Sequence, residues 1–133
     1  MQQPSGGAVR GVPRALLRLE GLAVFGGSVL AYAWGGHSWW WFGGLFLVPD
    51  ISMMAYLVNV RIGAAVYNLL HTLTCAALLA GAGLLLGNGF LLAIAIIWSA
   101  HIGFDRMLGY GLKYATSFGD THLGYLGAAA GGV

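Results

Sequence analysis

Four apolar runs, at residues 16–34, 39–60, 63–86 and 90–113, constrain this chain more than any motif within it. Each holds about 19 to 24 residues, enough helix at 1.5 Å per residue to cross a hydrocarbon core ~30 Å thick. Short links join them. The expectation is an all-α, integral membrane four-helix antiparallel bundle over residues 16–113. An N-terminal tail (1–15), glycine-rich with Pro4 and Pro13, precedes it, and a C-terminal cytoplasmic tail (114–133) follows. Composition agrees: charged residues make up 8% of the chain, where a soluble domain carries about a quarter. Six basic residues leave no patch for nucleic acid. The lone Cys75 has no partner for an internal disulfide.

The first run could be misread as a signal peptide ending at Ala31-Tyr32-Ala33, but Glu20 would then sit in its hydrophobic region. Trp39, Trp40 and Trp41 open the second run as an interfacial aromatic belt. Pro49 lies near the middle of that run and is expected to kink it beside Asp50. Gly87-Asn88-Gly89 reads as a tight turn. Small residues recur at helix-packing spacing, Ala23, Gly27 and Ala31 in the first run and Gly83 and Gly87 in the third.

Arg10, Arg14, Arg18, Arg61, Arg106 and Lys113 all fall on the side shared by the N-terminus, the second link and the C-terminus. The positive-inside rule therefore places both termini in the cytoplasm, with the chain multi-pass in the inner (plasma) membrane. Counting inward from that side puts Glu20 at roughly 5 Å, Asp105 at about 12 Å, His71 at about 13 Å, Asp50 at about 16 Å and His101 at about 18 Å. Four runs thus send ionisable groups into one leaflet, where such groups are costly and mark function. Tyr56, Asn59, Asn68, Thr72 and Tyr110 lie in the same half. His101 and Asp105, four residues apart, share one helix face.

Three chemistries suit this layer. Two imidazoles with two or three carboxylates match zinc, manganese or iron as a divalent metal, and helix bundles hold such ions with inward-facing His, Asp and Glu. His71, His101, Asp105 and Asp50 are the expected ligands, with Glu20 as a further candidate. Without a metal, a buried Asp50 or Asp105 beside a histidine could run acid–base isomerisation or cyclisation of an apolar substrate. A proton or ion carrier built on the same groups is the third. The bland alternative pairs Asp105 with Arg106 or Arg18 and leaves the histidines as hydrogen-bonding glue. A haem between His71 and His101 is disfavoured by the neighbouring carboxylates. Gly109-Tyr110-Gly111 lacks the rest of a potassium-filter motif. His37 is expected to be solvated, and Asp120 and His122 are possible tail contributors to the site.

The segments LLRLEGLAV (16–24), PDISMMAY (49–56), YNLLHT (67–72), HIGFDRMLGYGLKY (101–114) and FGDTHLG (118–124) together resemble an uncharacterised family of small four-span bacterial membrane proteins, domain of unknown function 4260. The resemblance runs from Leu16 to Gly124 and implies a four-helix membrane fold and no particular activity. On the residues themselves, the leading expectation is a metal-dependent membrane enzyme acting on a lipid-like substrate. Glu20, Asp50, Tyr56 or Asp105 would move protons, and Arg106, Arg18, Asn68 and Tyr110 would hold the substrate. Membrane lipid is the expected surrounding partner, and a homodimer would help so small a chain bury its site.

Overall fold

The computed structural model describes residues 9–112, 120–121 and 123–125. Its helices are α1 (Gly11–Trp34), α2 (Trp39–Leu45), a 3-10 helix (Val48–Leu57), α3 (Val60–His71), α4 (Leu73–Leu86) and α5 (Gly89–Leu108). A two-residue antiparallel strand pair, β1 (Asp120–Thr121) with β2 (Gly124–Tyr125), follows them. The fold is otherwise helical, as expected.

Local chemistry sets the helix ends. The first N–H groups of a helix lack intrahelical partners, and a side-chain oxygen at the N-cap supplies one. Asn59 accepts from Ile62 N at 2.8 Å to start α3, and Asn88 accepts from Phe90 N and Leu91 N at 3.1 and 3.2 Å to start α5. At the other ends, Gly87 (φ +62°) closes α4 and Gly109 (φ +92°) closes α5 in the left-handed conformation that glycine adopts without a steric penalty. This explains Gly109-Tyr110-Gly111: Gly109 N donates to the Arg106 carbonyl and Tyr110 N to that of Asp105, so the motif is a helix cap. It also stops α5 at Leu108, short of residue 113. Nothing lies near a Cβ built on Gly87, so Gly87→Ala meets backbone strain alone. We expect it to cost about 1–2 kcal/mol, read as a lower unfolding temperature in detergent.

Two helices, α1 and α5, are long and apolar enough to cross a membrane, and α3 with α4 makes a third such segment if the bent pair is one span. These segments mark a membrane protein. Large apolar side chains such as Leu30, Leu78 and Leu85 are exposed, as lipid-facing residues would be. Residues 39–60 differ from the single helix expected of them. The ring of Pro49 would collide with the carbonyl four residues earlier, and α2 stops at that residue, Leu45. The chain resumes as a ten-residue 3-10 helix with Pro49 in its first turn, a long run for a conformation usually confined to three or four residues. The third run also breaks. Thr72 is extended (φ −95°, ψ 141°), and α3 and α4 meet there at 42°.

α5 packs against both α1 and α4, while the 3-10 helix packs on α3, where the ring of Tyr56 lies directly over Gly63. The α1–α5 crossing is built on glycine: a Cβ on Gly21 would stand 2.6 Å from Met107 N, and one on Gly103 would press into the backbone of Phe25 and Gly21. The expected seam along Ala23, Gly27 and Ala31 is instead the wall of an open groove, and a Cβ on Gly27 would meet nothing. Helical spacing gives a row of small residues but not the direction it faces. Gly83 does let α4 approach α5, at 2.8 Å from Leu92 N for a built Cβ. Tyr32 anchors the opposite end of the helices, its hydroxyl donating to the Ser38 carbonyl and its ring packing with Phe42 and His37. His37 is therefore half-buried on an aromatic ring rather than simply solvated.

Candidate metal centre

Three segments meet at one point. α5 is unbroken there and presents His101 and Asp105 on one face. The other two contribute at their breaks: Asp50 follows Pro49 in the first turn of the 3-10 helix, and His71 is the last residue of α3. A continuous helix spaces side chains on a fixed spiral, whereas a break frees a terminal residue to turn toward a neighbour. The breaks thus aim Asp50 and His71 at α5.

The four side chains converge on their metal-ligating atoms. His101 Nε2 lies 3.1 Å from Asp105 Oδ2, 3.2 Å from Asp50 Oδ1 and 3.2 Å from His71 Nε2. His71 Nε2 lies 3.3 Å from Asp50 Oδ1 and 3.5 Å from Asp105 Oδ2. All four atoms fall within 4.8 Å of one another. A tetrahedral ion with bonds of about 2.0–2.2 Å would hold its ligand atoms about 3.3–3.6 Å apart; two of the five separations given, 3.3 and 3.5 Å, fall in that range and the other three, at 3.1 and 3.2 Å, fall just short of it. The histidines are buried; the Asp50 side chain is 31% exposed and that of Asp105 13%, so the site opens on the Asp50 side.

Hydrogen bonding sharpens the case for a cation. His71 Nδ1 is 2.8 Å from the Tyr67 carbonyl, which can only accept, so Nδ1 carries the hydrogen. In the neutral ring Nε2 is then a bare lone pair, and it faces two carboxylates and a second imidazole. With the carboxylates ionised, one N–H on His101 would have to serve three acceptors. A cation satisfies all of them. Fixing a ligand histidine through its other nitrogen is the usual outer-shell arrangement of metal sites. Tyr67 also stacks on the His71 ring at 3.7 Å and 7°, holding its plane, and Phe46 meets His101 edge-on at 5.4 Å. His101 Nδ1 is buried without a hydrogen bond of normal geometry, although the Phe46 backbone lies near it.

The remaining sequence candidates are dispersed. Glu20 is exposed on α1, outside the four-residue group, and shares a cleft of about 60 Å³ with Arg106 on another side of α5. Arg18 Nε donates to the Met107 carbonyl at 3.0 Å, capping the end of α5. Tyr56 packs on Gly63, Asn68 is half-buried on α3, and Tyr110 is exposed with its N–H on the Asp105 carbonyl at 2.7 Å. The side chain of Asp120, and Lys113 and His122 altogether, lie outside the described residues. Sequence reasoning missed Tyr67 and Phe46. Tyr67 was accessible to it, since it precedes His71 by the same four residues that link His101 to Asp105.

A cleft of about 240 Å³ adjoins the cluster, walled by Leu45, Val48, Pro49, Leu70, Ile94, Ile97 and Trp98. Pro49 and Leu70 are the chain neighbours of Asp50 and His71. Fold and site together define a helical membrane protein with a buried two-histidine, two-aspartate group that could hold a metal. The chain belongs to the family described as Domain of unknown function (DUF4260), whose family model matches residues 14–126. Comparison with curated proteins and with solved structures gives no match.

Proposed function

We propose that the chain is a metal-dependent membrane enzyme acting on an apolar, membrane-soluble substrate. The observation that carries this reading is the convergence of His71, His101, Asp50 and Asp105 on one point beside an apolar cleft. Zinc, manganese or iron suits the mixed nitrogen and oxygen donors. Such an ion polarises a carbonyl or phosphoryl oxygen, or acidifies a bound water. His71, His101 and Asp105 would hold it from the buried side. Asp50, the most exposed of the four, faces the opening and is placed to accept a proton from an incoming group. The apolar wall favours an enzyme over a carrier, for which a polar path would have to continue past Pro49 and Ile97.

The same reading takes the chain through the inner membrane four times with both termini cytoplasmic. α2 rises about 10 Å and the 3-10 helix about 20 Å, together comparable with the hydrocarbon core, so a broken second crossing is long enough. A homodimer belongs to this proposal, with light scattering in detergent as its measurement. Acid–base catalysis by Asp50 and Asp105 without a metal is the second reading, supported by their contacts with His101.

Elemental analysis of the detergent-purified protein separates the two. Wild type and Glu20→Gln should each carry about one divalent ion per chain, and His71→Ala should carry almost none, since a site of four ligands is completed by each of them. Absence of stoichiometric metal from the wild type overturns the metal-dependent reading.

A further inference from the structure

Along α5, Ile94, Ile97, Trp98, His101 and Asp105 recur at three- and four-residue spacing and form one stripe. Its first half walls the cleft and its second half forms the cluster. Ile94 and His101 are separated by about 10 Å along the helix axis. An apolar slot and a polar cluster therefore follow one another along the same face of α5, the polarity of an amphiphile.

The slot presents almost no polar surface. The Leu70 carbonyl is taken by Trp98 Nε1 at 2.6 Å, which also occupies the indole N–H. The Pro49 carbonyl is taken by Ser52 Oγ at 2.7 Å, and proline has no N–H. A polar ligand segment there would lose its water without compensation, so a hydrocarbon chain is the occupant that fits. At the polar end, charge decides the headgroup. Two carboxylates balance one divalent ion, and the two arginines expected to hold the substrate are engaged elsewhere: Arg106 shares its cleft with Glu20, and Arg18 caps α5. None of the residues walling the cleft is basic. Among the described residues that wall the cleft, a phosphate would meet no compensating charge.

We infer that this slot binds the hydrocarbon chain of a single-chain lipid whose uncharged oxygen end, a hydroxyl or carbonyl, reaches the His/Asp cluster. The inference rests on the reading that the cluster holds a metal. It departs from the expectation that Arg106 and Arg18 hold the substrate.

The test uses the full chain in detergent with two photoreactive probes: a long-chain alcohol bearing a mid-chain diazirine and the corresponding alkyl phosphate. After illumination, mass spectrometry should map the alcohol adducts to Leu45, Val48, Leu70 or Ile94. The phosphate should label these positions about tenfold less, equivalent to about 1.4 kcal/mol. Val48→Trp and Ile94→Trp fill the slot from opposite walls and should each cut alcohol labelling about tenfold while retaining wild-type metal content. Equal labelling by both probes overturns the uncharged headgroup, and labelling unchanged in both tryptophan variants overturns the slot. Metal is measured on the same samples. A metal-loaded wild type without cleft adducts sinks the lipid assignment alone, whereas a wild type without metal sinks the metal reading and the charge argument built on it.

Discussion

Chelation should lower the unfolding temperature of the wild-type protein, and the same treatment should leave His101→Ala unmoved. A ligand that binds only the folded state stabilises it by mass action, about 2.7 kcal/mol when present at a hundred times its dissociation constant. For a chain of this length that corresponds to a shift on the order of 10 °C. The sign follows from the geometry. In the folded state His71 presents a bare Nε2 to Asp50 and Asp105, 3.3 and 3.5 Å away, and a cation relieves that confrontation. Unfolding disperses the four ligands over the 56 positions from Asp50 to Asp105, so the unfolded chain has no such site. His101→Ala removes the nitrogen nearest both carboxylates, at 3.1 and 3.2 Å, and with it the differential binding. Thermal unfolding in detergent, with and without a chelator, reads the effect. Equal unfolding temperatures for the wild type under both conditions would refute a structural contribution from metal.

Much of this site is legible in the sequence because two rules act on it independently. Helical periodicity puts His101 and Asp105 on one face, and the cost of burying ionisable groups in a membrane singles out Asp50 and His71 from other segments. Glu20 shows where such reasoning ends. Counting residues fixes a side chain's height along a helix but not the direction in which its face points. Glu20 lies on an exposed face of α1, away from the cluster. The row Ala23, Gly27 and Ala31 shows the same limit, since both Gly21 and Gly27 belong to the first apolar run and only the former meets α5. The breaks divide similarly. Pro49 announces one, because its ring cannot follow a helical Leu45 carbonyl, although nothing in the sequence specifies ten residues of 3-10 helix. The break at Thr72 has neither proline nor glycine beside it, so no residue type there announces it. Those two breaks are what bring Asp50 and His71 to the site.

Gly103→Ala should destabilise the protein by about 1–3 kcal/mol, against the direction that helix propensity predicts. In an exposed helix interior, alanine for glycine gains about 0.8–1.0 kcal/mol. At Gly103 the added Cβ would press on Phe25 N and stand 2.8 Å from the Gly21 carbonyl, and both obstacles are backbone. No rotamer change can move them, so α1 and α5 would have to separate along their whole crossing. Overpacking therefore exceeds propensity. Gly26→Ala is the matched control, because a Cβ there meets nothing within 4 Å, and it should raise stability by up to about 1 kcal/mol. Opposite shifts in unfolding temperature for the two variants are expected, and a shift in the same direction would show that the glycine crossing does not hold these helices together. The site should feel the first change and not the second. Gly103 lies between His101 and Asp105 on α5, so moving that helix displaces two ligands at once, while metal sites tolerate errors of only about 0.2 Å. Gly103→Ala should thus weaken metal retention during dialysis, and Gly26→Ala should leave it at the wild-type level.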